Sequence, residues 1–479
     1  MRNSNHRIVR HLAAGSMALL MAACAAVPHV GPAPDPVAAA SYATTQSFAA
    51  APGTWPQDGW WRAYGDPQLA ALIESGLADS PTLAEAEARI RKARSVAGET
   101  KSADWPSLEL DANGGEVKES LNQGFPPEFA QYLPRGYHSD GYVALKFDYE
   151  FDFWGKNRSA IAAAVSDVRT AEAEAAEARL ALSTGIALAY ADLARLYAEY
   201  DVAVRSVEVR EETFGLVSRR VQNGLDTRAE LKQAESGAPA ARAQMAAVDE
   251  QITQTRDRIA ALTGAGPDRG SSIERPSGSQ LKAFGLPPQL AADLLGRRPD
   301  LAAARWRAES AARRIGVARA QFYPNVNLAA YAGQQALFAN LLWHGSSQIG
   351  GVGPAVTLPI FEGGRLRSQY RGARADYDAA VAAYDSTLVQ ALQEVADVAA
   401  SERALGTRLE ESRKALAANE EAYRLTRMRY EGGLSNYQSV LLAEDAVLQS
   451  RLIVADLVAR SFTLDVQLVQ ALGGGYAQT

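Results

Sequence analysis

Two hydrophobic periods succeed one another along the chain, and they do so in the same order twice. From Phe361 to Leu472 apolar residues recur every three or four positions, at Val381, Tyr384, Leu388, Ala391, Val395 and Val398, the spacing of a coiled-coil seam. This stretch opens at Phe361-Glu362-Gly363-Gly364-Arg365 and continues for about seventy residues without proline, far beyond an ordinary globular helix. It turns at Tyr430-Glu431-Gly432-Gly433-Leu434-Ser435-Asn436 and returns to Gly473-Gly474-Gly475. At 1.5 Å per residue the outgoing limb spans roughly 100 Å. A hairpin of that length must lie against other long helices. An earlier pair is expected over 155–222 and 226–263, with its seam at Leu182, Ile186, Ala189, Leu193, Leu196, Tyr200, Ala203 and Val207. Pro239 interrupts the return limb of that pair and predicts a kink.

Between the helical stretches the period changes to two. The clearest strand is Tyr142 to Phe153, with Val143, Leu145, Phe147, Tyr149, Phe151 and Phe153 on one face and Ala144, Lys146, Asp148, Glu150 and Asp152 on the other. Val352, Pro354, Val356, Leu358 and Ile360 alternate in the same way against Gly351, Gly353, Ala355 and Thr357. A further strand is expected after Pro106, and each half contributes two strands of roughly 9–11 residues, the length of a tilted membrane-spanning strand. The segments between them (about 117–139 and 334–348) carry Gly, Pro, Asn and the aromatics Phe125, Tyr132 and Trp343, and read as exposed loops.

The two halves share a text. Phe153-Trp154-Gly155-Lys156 matches Phe361-Glu362-Gly363-Gly364, and Arg220-Val221-Gln222-Asn223-Gly224-Leu225-Asp226 matches Arg429 to Ser435. Trp105-Pro106 matches Tyr323-Pro324, and Pro81-Thr82-Leu83 matches Pro299-Asp300-Leu301. Four landmarks in order at near-constant offsets indicate a tandem duplication. We therefore divide the chain into a signal peptide (1–23), a tether (24–66), a first repeat (67–264), a connector (265–296), a second repeat (297–472) and a tail (473–479).

The N-terminus carries an address. Arg2, Arg7 and Arg10 precede an apolar run that ends at Cys24, the one cysteine of the 479 residues. Leu20-Met21-Ala22-Ala23-Cys24 resembles a bacterial lipobox, in which Cys24 becomes the lipidated first residue; an ordinary signal peptide followed by an incidental cysteine is the alternative. Loss of residues 1–23 removes three arginines and no acid, so the net charge of −6 becomes −9. No disulfide is then possible, and no basic tract points to nucleic acid. Residues 25–52, rich in alanine and proline, read as an irregular tether. Asp66-Pro67 suits a helix start, and Trp60-Trp61 suits packing against a neighbouring surface.

After the signal sequence no apolar run is long enough for a spanning helix, so a membrane-embedded reading must use strands, and strands in lipid must close. Four strands per chain cannot close, since eight is near the small limit. Either the strands are soluble, or several chains pool them, and a trimer supplying twelve is then the smallest ring that closes comfortably.

These elements together resemble the TolC-type outer-membrane efflux family, in its OprM/NodT-like lipoprotein branch. The matching residues are Cys24, Trp60-Trp61, Asp66-Pro67-Gln68-Leu69, Asp152-Phe153-Trp154-Gly155-Lys156, Arg297-Arg298-Pro299-Asp300-Leu301, Phe322-Tyr323-Pro324, Pro359-Ile360-Phe361-Glu362-Gly363-Gly364-Arg365, and Arg429-Tyr430 through Gly433. The resemblance implies a mainly α homotrimer, whose transmembrane β-barrel continues into an α-helical barrel in the periplasm. It further implies that the hairpin tips meet a periplasmic adaptor (a membrane fusion protein), which joins the duct to an inner-membrane efflux pump. On that basis Arg220, Asn223, Gly224, Leu225, Arg429, Tyr430, Gly433 and Leu434 are the tip residues. Family members commonly place aspartates where Ser439 and Leu442 stand here. A periplasmic constriction around Tyr437, Gln438 and Leu442 is expected instead, with Glu444 and Asp445 slightly further on.

An enzyme needs a catalytic constellation, and none is visible. Of five histidines, His6 and His11 leave with the signal, His29 lies in the tether, and His138 and His344 lie in loops. The chain is read as a passive outer-membrane exit duct for small molecules, with no cofactor. The alternatives are a duct for protein secretion and, further off, a lipid-anchored periplasmic coiled-coil adaptor or spacer.

Overall fold

The computed structural model describes residues 27–118, 120, 132, 135–277, 285–287 and 290–477; Cys24, the signal segment and Phe125 lie outside them. Twelve elements carry the architecture among the described residues. They run in the order α1 (Pro67–Asp79), α2 (Pro81–Ser102), β1 (Ser107–Val117), β2 (His138–Phe151), α3 (Lys156–Gln222), α4 (Arg228–Leu262), α5 (Leu290–Arg297), α6 (Pro299–Ala320), β3 (Asn325–Ala336), β4 (Gln348–Thr357), α7 (Arg365–Glu431) and α8 (Tyr437–Ala471). The long helices repeat in length as well as in order: α3 and α7 have 67 residues each, α4 and α8 have 35 each. The chain divides into two compact units, one of Met1–Asp35, Arg91–Arg169 and Trp306–Ala382, the other of Pro36–Ile90, Thr170–Arg305 and Ala383–Thr479.

The first unit holds one antiparallel sheet in the order β1-β2-β3-β4. Its register aligns the alternating residues of all four strands. Leu110 pairs with Leu145, Leu145 with Ala332, and Ala332 with Gly350; Leu108 pairs with Phe147, Phe147 with Ala330, and Ala330 with Val352. Because paired residues share a face, Leu108, Leu110, Phe147, Tyr149, Val326, Leu328, Val352 and Val356 form one apolar surface. The opposite face carries Glu109, Asp111, Lys146, Asp148, Glu150 and Asn327, with Lys146 ion-paired to Asp111. Among the described residues this apolar side stays open: Leu108 and Leu110 are each 65% exposed, Val352 77% and Val356 63%. β1 and β4 each keep one unpaired edge. Pro354, which has no N–H to offer a ladder, sits on β4, the edge where it does least damage.

Two boundaries differ from the alternation. β2 ends at Phe151 rather than Phe153, because the Asp152 carboxylate accepts the N–H of Arg158 (2.9 Å) and draws the chain into α3. It begins at His138, where backbone pairing with Val117 outlasts the apolar pattern. The second loop is correspondingly shorter, since β3 runs to Ala336.

In the second unit the seam of the first hairpin is buried at Leu182, Ile186, Ala189, Leu193, Leu196 and Ala203, with Tyr200 and Val207 half-buried. On α7 Tyr384, Leu388, Ala391, Val395 and Val398 are buried here, as Val381 is in the first unit. Trp60 and Trp61 lie edge to face at 5.7 Å, and Tyr64 meets Phe462 at 4.8 Å. Asp66 caps α1: its Oδ1 accepts the N–H of Gln68 (2.9 Å) and Leu69 (3.1 Å), and its Oδ2 accepts the hydroxyl of Tyr190 (2.8 Å).

The segment read as an irregular tether is irregular, and it lies along α7. In the first unit Tyr377 donates its hydroxyl to the Pro34 carbonyl (3.1 Å). In the second, Asp385 accepts the N–H of Val37 (2.9 Å) and Arg403 donates to the Ala49 carbonyl (3.1 Å). Ala39, Tyr42, Phe48 and Trp55 pack into the same core as Tyr384, Leu388 and Val395. A proline-rich segment lacks regular bonding of its own, and α7 supplies the partners. At Pro239, where a kink is expected, α4 runs through as one helix.

Candidate functional site at the hairpin turns

The turn after α3 and the turn after α7 are built alike. Gly224 (φ 73°) and Gly433 (φ 74°) occupy the left-handed region, which closes the reversal that ends each helix. Leu225 N–H bonds back to the Arg220 carbonyl (2.9 Å), and Leu434 N–H to that of Arg429 (2.7 Å). The return helices are capped in parallel. Thr227 and Glu230 form a capping box on α4, and Asn436 accepts the N–H of Ser439 (3.0 Å) on α8.

The two turns are bound to each other through one arginine. Arg220 Nε donates to Asp226 Oδ2 (2.9 Å), and its Nη1 donates to the Tyr430 carbonyl (2.7 Å). Its guanidinium lies 4.4 Å from the centre of the Tyr430 ring, and the Tyr430 hydroxyl donates to Asp226. Beneath them Val217, Ala234, Tyr430, Tyr437 and Val440 form a small apolar core. Burial, and then the Asp226 carboxylate, pushes the Tyr430 phenol well above its ordinary range.

The expected tip residues thus separate into two groups. Arg220 and Tyr430 are buried and spend their polar groups inside the protomer. As surface contacts they are corrected; they are braces. Asn223, Leu225, Arg429 and Leu434 are exposed, Leu225 by 62% and Leu434 by 74%, so each apex presents a bare leucine. The expected constriction set also divides. Tyr437 and Glu444, with Val440 and Val447, lie on the face of α8 turned into the protomer, where side chains of the same chain cover them. Gln438, Leu442 and Asp445, spaced four and three apart, lie on an exposed face.

Two ties joining the hairpins were not singled out from sequence. Arg427 Nη1 pairs with Glu212 (3.0 Å), and Arg210 Nε lies 2.8 Å from Glu444 Oε1 while its Nη2 pairs with Asp445. Arg210 and Asp445 stand 235 residues apart, beyond any local signal. Asp226 was within reach as the turn's one acid, six residues after Arg220.

A sheet with a bare apolar face and two open edges, in a chain of paired helix hairpins, defines a membrane channel subunit. The chain belongs to the outer membrane efflux protein family, whose model matches residues 72–265 and 290–474. It is 36% identical over 374 residues to the fusaric acid resistance protein FusA of Burkholderia cepacia, covering 76% of this chain and 69% of that one. It is 32% identical over 435 residues to the multidrug resistance outer membrane protein MdtP of Escherichia coli K12, covering 88% and 87%. The crystal structure of the outer membrane protein VceC of Vibrio cholerae superposes with TM-score 0.82 at 42% identity, covering 88% of this chain and all of that one. The Campylobacter jejuni CmeC channel shares the fold, with TM-score 0.84 at 22% identity. The protein is an outer-membrane efflux channel of a Gram-negative bacterium, and the family's activity is transport, not catalysis.

Proposed function

We propose that three copies of this chain pool their strands into a twelve-stranded barrel through the outer membrane, and that the duct passes drug-like small molecules passively. The carrying observation is the register of the sheet, which lines up one uncovered apolar face while β1 and β4 each keep a free edge. In lipid an unpaired edge costs several kcal/mol per orphaned group, so closure by further copies is the stable outcome. Energy comes from an inner-membrane pump, coupled through a periplasmic adaptor that meets the turns. The exposed Leu225 and Leu434, held on braced turns, support that assignment. Cys24 carries the lipid that adds a second attachment to the membrane. Names of relatives such as fusaric acid resistance and multidrug resistance support small organic solutes as cargo.

The reading is tested by reconstituting the purified protein in planar bilayers and crosslinking cysteines placed at Leu225 and Leu434 in cells. Trimer-sized particles that conduct, with adaptor captured at both turns, are the expected result. A detergent-free, folded monomer without conductance would end the reading.

A further inference from the structure

The Arg210 group differs from the tie at the turns in being short of positive charge. Glu444 is 1% exposed, and lies seven residues beyond Tyr437, about 10 Å along α8. Its Oε2 accepts the Thr213 hydroxyl (3.2 Å). Its Oε1 is buried and accepts no hydrogen bond, although Arg210 Nε is 2.8 Å away, so the approach is misaligned. The same guanidinium also serves the exposed Asp445. The other cation nearby, Arg427, is divided between Glu212 (3.0 Å) and Glu431 (3.1 Å). Arg210 and Arg427 are thus each shared between two carboxylates, and the most buried of these acids, Glu444, is the least well bonded. From α7 the half-buried Tyr423 faces the same group, and on α8 Tyr437 lies near it. From α4, Gly237 leaves room for Arg210: a Cβ there would lie 3.1 Å from Arg210 Cδ.

We propose that Arg210, Glu444 and Asp445 form a proton-linked latch between the two hairpins, in which the joined arrangement holds a proton on Glu444 and separation releases it. The proposal rests on the duct reading above, and adds to it that the hairpins part when the duct opens. Burial raises the Glu444 pKa; Arg210, Thr213 and Arg427 pull it down, Asp445 pushes it further up, and the net direction is upward. A carboxyl that becomes hydrated on separation returns to an ordinary value. The joined state then binds the proton more tightly, so its share of stability is full at low pH and lost as pH rises through the raised value. Acid holds the hairpins together, and rising pH favours opening.

Two measurements on the full-length lipidated protein decide the matter. In planar bilayers titrated from about pH 5 to about pH 8 on the side of the turns, open probability should rise with pH, by at most about tenfold per unit for a single proton. Glu444→Gln, a permanent mimic of the protonated form, should abolish that rise and stay mostly closed; Asp445→Asn should keep the rise and move it to lower pH. In infrared titration of the protein in detergent, wild type should retain a protonated-carboxyl band above the ordinary glutamate range, and Glu444→Gln should lack it. A wild-type pH profile in Glu444→Gln, a slope of opposite sign, or an unchanged infrared band would overturn the latch. The infrared experiment needs no conductance, so a protein that forms no channel would sink the duct reading while the latch is still decided.

Discussion

The Tyr430 phenol at the end of α7 donates its hydroxyl to the Asp226 carboxylate just past the end of α3, a contact between residues 204 positions apart. It joins one hairpin directly to the other, and Arg220 closes the triangle from beneath. Tyr430→Phe removes one charge-assisted bond and keeps the ring over Arg220, so it should cost about 1.5–3 kcal/mol of turn stability. Asp226→Ala should cost more, about 3–5 kcal/mol, because it strands a buried guanidinium. Hydrogen exchange over 220–227 and 429–437 should rank Asp226→Ala above Tyr430→Phe above wild type. Equal protection in all three would mean that the brace is idle.

Glycines with the same backbone sign should respond differently. Gly433 has open space where a Cβ would go, so Gly433→Ala meets only left-handed strain, about 1–2 kcal/mol. Gly473, at φ 85°, would place a Cβ 1.9 Å from the Arg297 carbonyl oxygen, and Gly474 would place one 2.2 Å from Leu180 Cδ1. Gly473→Ala therefore forces backbone apart as well and should lower the thermal midpoint in detergent well beyond Gly433→Ala. A bulky β-branched residue at Gly224 or Gly433 should further impair drug efflux measured in cells, since such side chains tolerate positive φ least.

Much of this was legible in the sequence, and the misses have a common cause. Alternation from Val143 to Phe151 marked the strand because one face meets an apolar medium and the other water. Its last step, to Phe153, failed because Asp152 serves the next helix instead. Seam positions such as Leu388 and Val395 were recoverable from spacing alone. Glu444 was placed near a lumen although it shares a helix face with Tyr437, Val440 and Val447, a pattern that points inward. Arg210 could not be found that way, since its partner is set by how two hairpins meet and not by any local period. The strap over α7 was missed for the same reason: proline-rich chain has no period, and Arg403 and Asp385 look like solvated charges until the segment lies on them.

The lipid proposed for Cys24 and the proposed barrel are two modes of attachment that one variant separates. Cys24→Ser should abolish incorporation of labelled palmitate while the protein still fractionates with the outer membrane, because the strands carry their own apolar face. Release of the variant into the soluble periplasmic fraction would show that the sheet does not reach lipid.

The strands themselves allow a sharper comparison, between neighbours one residue apart. Ala330 pairs with Phe147 and Val352 on the apolar face, and Ala329 pairs with Asp148 and Gly353 on the polar one. Lysine at 330 would be driven into hydrocarbon, at a cost of about 2–4 kcal/mol near the middle of the bilayer. Lysine at 329 would stand opposite Asp148, whose carboxylate accepts the Asn327 amide (3.1 Å) and can accept a second donor. Ala330→Lys should therefore reduce the amount of folded, protease-resistant protein in outer-membrane fractions, whereas Ala329→Lys should leave it near wild type. If the two variants fall together, packing within the strand sets the cost. If Ala329→Lys is the worse, the apolar face looks into the lumen and the orientation of the barrel wall is reversed.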